Sequence, residues 1–240
     1  MIIDNPHYWV VMPAAGAGSR MGADIAKQYL PLLDKTVIEW SLSLFLNDAR
    51  FVGIVVVLAA DDVHWQTLSI AKHPKIRVVK GGAQRADSVR AGLSSLIGHA
   101  HADDWVLVHD AARPCLHQAD LDKLIATLTV DPELAGGLLA TPITDTLKQA
   151  DAQQRVVNTV PRNDLWRALT PQMFRCDVLQ RALTGALNHR FNITDEAAAV
   201  EAMGFKPRLI AGRVDNIKIT TPEDMALATS ILTAQQREAV

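Results

Sequence analysis

The chain has 240 residues and a formal net charge of −2, with 49% hydrophobic and 21% charged residues. This length and apolar fraction suit one globular core, and we predict a single domain over residues 1–240. The near-neutral charge provides no general basic surface for nucleic acid, and the N-terminal residues have neither a basic region nor a long apolar segment. Two cysteines provide neither a disulfide framework nor a Cys-x-x-Cys metal site. We therefore predict a cytoplasmic protein that binds no nucleic acid and no membrane.

A loop of small residues follows the first apolar stretch. Residues 9–13 predict a buried strand, and the next five residues, Ala-Ala-Gly-Ala-Gly, carry almost no side-chain bulk. Backbone N–H groups in such a loop can approach an anion closely, and Arg20 and Lys27 add two positive charges. The spacing matches neither the P-loop nor the dinucleotide glycine fingerprint. The pattern favours a polyphosphate site of another kind, and a plain turn with a solvated Lys27 is the alternative.

Strand and helix patterns alternate along the first 140 residues. Thr36 and Glu39 form a capping box that predicts a helix to about residue 49, and the valine-rich residues 51–58 are typical of a strand covered on both faces. The further predictions are helices over 61–71, 86–96 and 118–129, and strands over 76–79, 105–108 and 137–140. This alternation predicts a doubly wound α/β fold with a mostly parallel sheet.

The pattern changes after Thr141. Residues 145–149 and 155–160 predict a β-hairpin whose strands are more polar than those of the core. A two-stranded hairpin is marginal in water by itself, so its apolar residues predict packing against a second subunit or back onto the same domain. We call residues 141–164 the arm.

Residues beyond the arm return to the core. The predicted elements are a core segment at 165–170, helices over 177–187 and 195–203, strands over 207–210 and 216–219, and a last helix that begins at Thr221 and Pro222.

Three polar or glycine-rich loops follow predicted strands: the one after residue 13, Gly81-Gly82, and His109-Asp110. In open α/β sheets, ligands bind at the carboxyl ends of strands, so these loops are expected to meet in one crevice. Asp110 at the end of a buried strand predicts either a Mg²⁺ ligand or a cap of the following turn. We interpret His109 as a structural histidine.

Six motifs in order resemble a known family. They are AAGAGSRM with KQYL (14–30), GGAQRADSV (81–89), VHDAARP (108–114), LTPQ (169–172), ITDEA (193–197) and DNIK (215–218). Together they resemble the 2-C-methyl-D-erythritol 4-phosphate cytidylyltransferases, which have a Rossmann-like nucleotidyltransferase sheet with a protruding hairpin. The resemblance runs from about residue 9 to about residue 232. It implies transfer of a cytidylyl group from CTP to 2-C-methyl-D-erythritol 4-phosphate with Mg²⁺, in a homodimer joined through the arm. The products would be 4-diphosphocytidyl-2-C-methyl-D-erythritol, an isoprenoid precursor of the non-mevalonate pathway, and pyrophosphate.

The resemblance also implies residue roles. The implied catalytic residues are Arg20 and Lys27 on the CTP phosphates, Arg162 reaching the partner's site, and Lys218 on the incoming phosphate. The implied nucleotide-binding residues are Ala14, Ala15, Gly16, Gly18, Gly82, Arg85 and Ser88. The implied substrate-binding residues are Asp110, Arg113, Thr146, Thr170 and Thr194, with Asp110 also a metal ligand secondary to the CTP phosphates. One departure is Ala26, where relatives often carry proline.

Three rival functions stay open at this point. A ribitol 5-phosphate cytidylyltransferase shares the nucleotide half, and CTP-binding motifs cannot separate the two substrates. An NAD-dependent oxidoreductase would need a glycine spacing that is absent here. A non-catalytic nucleotide-binding module would have no reason to retain Arg20, Lys27, Arg162 and Lys218 together.

Overall fold

The computed structural model describes residues 6–16, 25–188 and 193–238. Within these ranges the strands are β1 (Tyr8–Pro13), β2 (Pro31–Leu32), β3 (Lys35–Thr36), β4 (Phe51–Leu58), β5 (Ile76–Lys80), β6 (Trp105–Val108), β7 (Gly136–Pro142), β8 (Leu147–Ala150), β9 (Val156–Val160), β10 (Trp166–Arg175) and β11 (Arg208–Ala211). The α-helices are α1 (Val37–Asn47), α2 (Arg85–Ser94), α3 (Gln118–Thr129), α4 (Cys176–Asn188), α5 (Glu196–Glu201) and α6 (Pro222–Glu238).

The central sheet has seven strands in the order β11-β7-β10-β6-β1-β4-β5. Four of its neighbouring pairs are parallel, and β10 alone runs antiparallel to both of its neighbours. The predicted doubly wound, mostly parallel α/β sheet is therefore confirmed. Val11 of β1 lies opposite Val108 of β6 and Val55 of β4, so the carboxyl ends of these strands lie at the same edge of the sheet.

Successive side chains of β1 pack on opposite faces of the sheet, and both faces are covered by helices. Val10 and Met12 pack with Leu42 and Phe45 of α1 on one face, whereas Val11 packs on the other face in the cluster that contains α2 and α4. Successive side chains of a strand point to opposite faces, and these five residues are fully buried. Because helices cover both faces, we expect a binding site at the ends of the strands and in the loops that follow them.

Two predicted elements are wrong. Residues 61–71 form two short 3₁₀ helices, Trp65–Thr67 and Ser69–Lys72, and not an α-helix. Asp62 explains the tight turn, because its carboxylate accepts the N–H groups of His64 and Trp65 at 3.1 and 2.9 Å.

The predicted strand over residues 216–219 is an irregular segment that bonds to loops. The Asn216 side chain donates to the carbonyl oxygen of Thr170 at 2.8 Å, and the Ile219 N–H donates to that of Ala112 at 2.8 Å. These partners take the place of a neighbouring strand. The predicted helix start at Thr36 is confirmed, since its side chain and that of Glu39 form the reciprocal capping box.

The predicted hairpin of the arm is also observed. Strands β8 and β9 pair antiparallel with each other in a two-stranded sheet separate from the central one. Val156 and Val157 are 63% and 61% exposed, so these apolar residues are not covered within one chain.

Cys115 and Cys176 are buried free thiols, as expected of core cysteines. Within the described ranges, none of the helices has the length and apolar character that a bilayer crossing requires.

Candidate active site

A cavity of about 320 Å³ lies where the loops after β1, β5 and β6 meet. Nine residues predicted from the sequence line it: Ala14, Ala15, Gly16, Lys27, Gly82, Arg85, Ser88, Asp110 and Lys218. They come from five separate segments of the chain, and these include the three loops that the strand-end argument predicted to meet.

Small residues allow two of these loops to pack closely. A Cβ atom added to Gly81 would lie 2.7 Å from the Cβ of Ala15 and 2.7 Å from the Oγ of Ser88. The next N–H, that of Gly82, donates to the Ser88 Oγ at 3.2 Å. Gln28 is buried and donates to the carbonyl oxygen of Ala14 at 2.8 Å, which fixes the start of the β1 loop. The part of the cavity wall that these two loops form is thus shaped by backbone with little side-chain bulk.

Asp110 is the centre of the charge cluster in the cavity. Its Oδ1 accepts from the Nε of Arg85 at 3.1 Å, and its Oδ2 lies 2.8 Å from the Nζ of Lys218 and 3.6 Å from the Nε of Arg113. Burial alone would raise the pKa of Asp110, but Arg85, Lys218 and Arg113 hold the pKa well below its usual range. Asp110 is therefore a carboxylate surrounded by three cations.

The segment 216–219 carries Lys218 into the cavity. The Nζ of Lys27 donates to the carbonyl oxygen of Ile219 at 2.7 Å, and the Nη1 of Arg113 donates to that of Asn216 at 2.7 Å. Lys27 and Ile219 are 192 residues apart in the sequence. The late segment is therefore bound to the β1 loop and to the β6 loop by the cations of those loops.

His109 lies behind this cluster and is fully buried. Its Nε2 lies 3.0 Å from the carbonyl oxygen of Arg113, which can only accept, so we assign the proton to Nε2. The Oγ1 of Thr170 accepts the Asp110 N–H at 3.1 Å and donates to the His109 Nδ1 at 3.0 Å. His109 is thus a neutral structural residue that fixes the Asp110 loop.

This environment predicts a specific pH dependence of stability. Burial, the largest cause, lowers the pKa of His109 from 6.5 to about 4, although Asp110 favours the charged form. Between these values the unfolded chain binds a proton that the folded chain does not, so stability falls as the pH falls below 6.5. We expect a His109 contribution of about 2 kcal/mol to be lost between pH 7 and pH 5.

Urea unfolding of the wild type and of His109→Gln at both pH values measures this loss. The wild type should lose more free energy of unfolding than the variant, because the variant lacks the titrating group. Equal losses in the two proteins would contradict a buried neutral His109.

Comparison with known proteins identifies the family. A family model for 2-C-methyl-D-erythritol 4-phosphate cytidylyltransferase matches residues 8–234. The chain belongs to the 2-C-methyl-D-erythritol 4-phosphate cytidylyltransferase family. Curated relatives of that name include one from Ectopseudomonas mendocina (strain ymp), 53% identical over 220 residues that cover 91% of this chain and 93% of the relative. Another, from Tolumonas auensis, is 51% identical over 231 residues, 96% of this chain and 99% of the relative.

A solved structure gives the same result. The 2-C-methyl-D-erythritol 4-phosphate cytidylyltransferase of Francisella tularensis matches with a TM-score of 0.82 and 34% identity, over 94% of this chain and 99% of that chain. The predicted family and nucleotidyltransferase class are confirmed, and the oxidoreductase alternative has no support.

Several residues implied by the cytidylyltransferase resemblance do not line the cavity of the same chain. Thr146, Arg162 and Thr194 are exposed, and Arg162 donates to the carbonyl oxygen of Thr144 within the arm. Thr170 and Arg113 are behind the cavity wall, with the contacts described above. Gly18 and Arg20 lie outside the described residues, so their predicted roles stay predictions.

The site offers little for a metal that the protein would hold by itself. The described residues contain no cluster of three or more histidine, cysteine, aspartate or glutamate side chains suited to a metal. Both oxygens of Asp110 are engaged by Arg85 and Lys218. The described residues therefore do not form a Mg²⁺ site by themselves. Mg²⁺ would bind here only if Asp110 gave up these partners or if the CTP phosphates supplied the ligands.

Three residues of this cytidylyltransferase site were missed by sequence reasoning. They are Gln28, which orders the β1 loop; Glu196, which binds Arg85; and Asn216, which anchors the segment of Lys218. Each lies inside one of the six motifs, so the motifs pointed to these positions. Their roles depend on burial and on hydrogen-bond partners, which the spacing of residues in the sequence does not show.

Proposed function

We propose that this chain transfers the cytidylyl group of CTP to 2-C-methyl-D-erythritol 4-phosphate in the cavity described above. The products are 4-diphosphocytidyl-2-C-methyl-D-erythritol, used in isoprenoid precursor biosynthesis, and pyrophosphate. The observation that carries the proposal is the convergence of Lys27, Arg85 and Lys218 on one cavity with small-residue walls in a chain of this family.

The reaction needs charge neutralisation more than proton transfer. An oxygen of the polyol phosphate forms a bond to the α-phosphorus of CTP, and the bond from that phosphorus to the bridging β-phosphate oxygen breaks. The nucleophile is already an anion, so no general base is required. Bringing two polyanions together needs fixed cations and exact orientation, which supply most of the catalysis in phosphoryl transfer. We assign the CTP phosphates to Lys27 and Arg20, and the incoming phosphate to Lys218.

Asp110 has a role in this scheme as a counter-ion. Without ligand, its carboxylate holds Arg85 and Lys218 at 3.1 and 2.8 Å and orients them toward the cavity. Bound phosphates offer these cations further acceptors. Since the described residues do not form a Mg²⁺ cage, we propose that the divalent ion enters with CTP as its phosphate complex, where it would neutralise part of the charge.

The nucleotide side of the cavity is proposed to be formed by Ala14 to Gly16, Gly82, Arg85 and Ser88. Apart from Arg85, these residues border it with backbone groups and small side chains. Such walls let N–H groups approach a base or a phosphate closely.

We further propose a homodimer in which the arm completes the partner's site. Two observations support it: Val156 and Val157 are exposed on the hairpin, and Arg162 lies on the arm and not at the cavity of its own chain. In this arrangement Arg162 and Thr146 would contact the polyol phosphate of the partner. The cytoplasmic location and the absence of nucleic-acid binding stay predictions.

Pyrophosphate release tests the proposed substrate. The purified protein is incubated with CTP, Mg²⁺ and either 2-C-methyl-D-erythritol 4-phosphate or ribitol 5-phosphate. We expect release with the methylerythritol substrate and little with ribitol 5-phosphate. Release with ribitol 5-phosphate alone would overturn the substrate assignment in favour of the rival cytidylyltransferase.

Arg162→Ala tests the role of the arm. We expect a higher KM for 2-C-methyl-D-erythritol 4-phosphate, by about 10-fold or more, because a charge-assisted contact to phosphate is lost. The KM for CTP should change much less. Arg155→Ala is the matched control, since Arg155 lies on the same hairpin and is 75% exposed. If Arg162→Ala showed wild-type kinetics, the cross-subunit proposal would be wrong.

A further inference from the structure

Glu196 is a buried carboxylate at the start of α5, only 1% exposed. Its position is fixed by the neighbouring strand. Gln172 of β10 accepts the Ala197 N–H at 2.8 Å and donates to the Asp195 carboxylate at 2.9 Å. Asp195 in turn caps the helix by accepting the Ala198 N–H at 2.9 Å. The first turn of α5 is therefore held against the sheet, with Glu196 at a defined place beside the cavity.

Glu196 and Arg85 form a bidentate ion pair. The Nη1 and Nη2 atoms of Arg85 donate to the two Glu196 oxygens at 2.5 and 3.0 Å, across 111 residues of sequence. Parallel contacts of this kind fix the plane of a guanidinium as well as its charge. Burial raises the pKa of Glu196, and Arg85 works against that shift. The pair therefore orients Arg85 from the side away from the cavity.

The orientation of Arg85 determines which oxygen of Asp110 binds Arg85 and which binds Lys218. Because both terminal nitrogens of Arg85 are engaged by Glu196, only its Nε reaches Asp110, at 3.1 Å from Oδ1. The other oxygen, Oδ2, accepts from Lys218 at 2.8 Å. A guanidinium released from Glu196 could instead take both Asp110 oxygens in a bidentate pair and compete with Lys218.

We infer that Glu196 is a positioning residue for the proposed reaction: by holding Arg85, it leaves one oxygen of Asp110 to place Lys218. The inference rests on the proposed function, in which Lys218 holds the incoming polyol phosphate. It makes Glu196, Arg85, Asp110 and Lys218 one chain of alternating charges that ends in the cavity. Glu196 itself does not line the cavity.

Glu196→Gln tests this chain. Steady-state pyrophosphate release is measured with each substrate varied in turn. We expect kcat/KM for 2-C-methyl-D-erythritol 4-phosphate to fall by on the order of 10- to 100-fold, because a small misplacement of a positioning group has effects of this size. The KM for CTP should also rise, but by a smaller factor, because Arg85 borders the nucleotide side of the cavity and keeps its charge. Glu201→Gln is the matched control, since Glu201 is the exposed last residue of the same helix, and it should retain wild-type kinetics.

A double-mutant cycle separates positioning from general destabilisation. If Glu196 acts through Lys218, adding Glu196→Gln to Lys218→Met should cost little further activity, because coupled residues are non-additive. Fully additive losses, or a Glu196→Gln enzyme with wild-type kinetics, would overturn the inference. Where Glu196→Gln does not fold, Glu196→Asp keeps the charge but shortens the reach to Arg85. It should give a smaller loss in the same parameter, and its wild-type kinetics would equally overturn the inference.

The wild-type protein distinguishes the two levels of failure. A wild type that releases no pyrophosphate with CTP and 2-C-methyl-D-erythritol 4-phosphate contradicts the proposed function. An active wild type with an unaffected Glu196→Gln variant contradicts only the role of Glu196.

Discussion

Lys27→Met is expected to lower kcat by about 10²- to 10³-fold, or roughly 3–4 kcal/mol, the usual effect of removing one preorganised donor to developing charge. Lys27 lines the cavity beside the β1 loop, and its Nζ is fixed by the carbonyl oxygen of Ile219 at 2.7 Å. A cation held in place stabilises the charge that develops on the leaving pyrophosphate more than it stabilises the ground state. The KM for CTP should therefore change much less than kcat.

Single-turnover and steady-state pyrophosphate release give both parameters. Lys72→Met is the matched control, because Lys72 is exposed on a 3₁₀ helix away from the cavity. A surface change of this kind is usually within about 0.5 kcal/mol in stability. If Lys27→Met raised the KM for CTP but left kcat unchanged, Lys27 would be a binding residue only, and its catalytic assignment would be wrong.

Lys218→Met is expected to have the second large effect, on the polyol phosphate. The variant removes the ammonium group that lies 2.8 Å from Asp110 and faces the cavity, so the incoming phosphate loses its counter-charge. Misplaced reactants commonly cost on the order of 10²-fold, and we expect kcat/KM for 2-C-methyl-D-erythritol 4-phosphate to fall by that amount.

Lys218→Arg is the control that retains the charge. It should keep more activity than Lys218→Met, but less than the wild type, because a guanidinium differs from an ammonium in shape and reach. Equilibrium binding of CTP should be similar in all three proteins. A Lys218→Met enzyme that binds CTP poorly but uses the polyol phosphate normally would reverse the assignment of the two substrates.

Much of the fold could be predicted from local sequence patterns. The alternating strand and helix signals and the valine-rich β4 agree with the observed sheet, and the capping box at Thr36 agrees with the start of α1, since each depends on residues close in sequence. The segments 61–71 and 216–219 were mispredicted for different reasons. The Asp62 carboxylate accepts nearby backbone N–H groups and replaces regular helix bonding in the first segment. The second segment bonds instead to Thr170 and Ala112, which are far away in the sequence.

The loops that form the candidate site could be predicted from the sequence, but the ion pairs around Asp110 could not. Motif positions predicted that Lys27, Gly82, Asp110 and Lys218 meet, and they line one cavity. The charge sharing around Asp110 was not predictable, because it depends on the burial of Glu196 and on contacts between residues more than 100 positions apart. A glutamate in a helix usually lies in solvent, so the sequence alone favours the wrong environment.

The central claim is that each site is built from cations of remote segments, including the arm of a second copy of the chain. Mixing equal amounts of two impaired variants, Lys27→Met and Arg162→Ala, tests it directly when 2-C-methyl-D-erythritol 4-phosphate is kept well below its wild-type KM. In a mixed dimer, one site carries both changes and the other carries neither. With random exchange of subunits, we expect the mixture to recover about one quarter of wild-type pyrophosphate release. Activity that stays at the average of the two separate variants after exchange would contradict the claim.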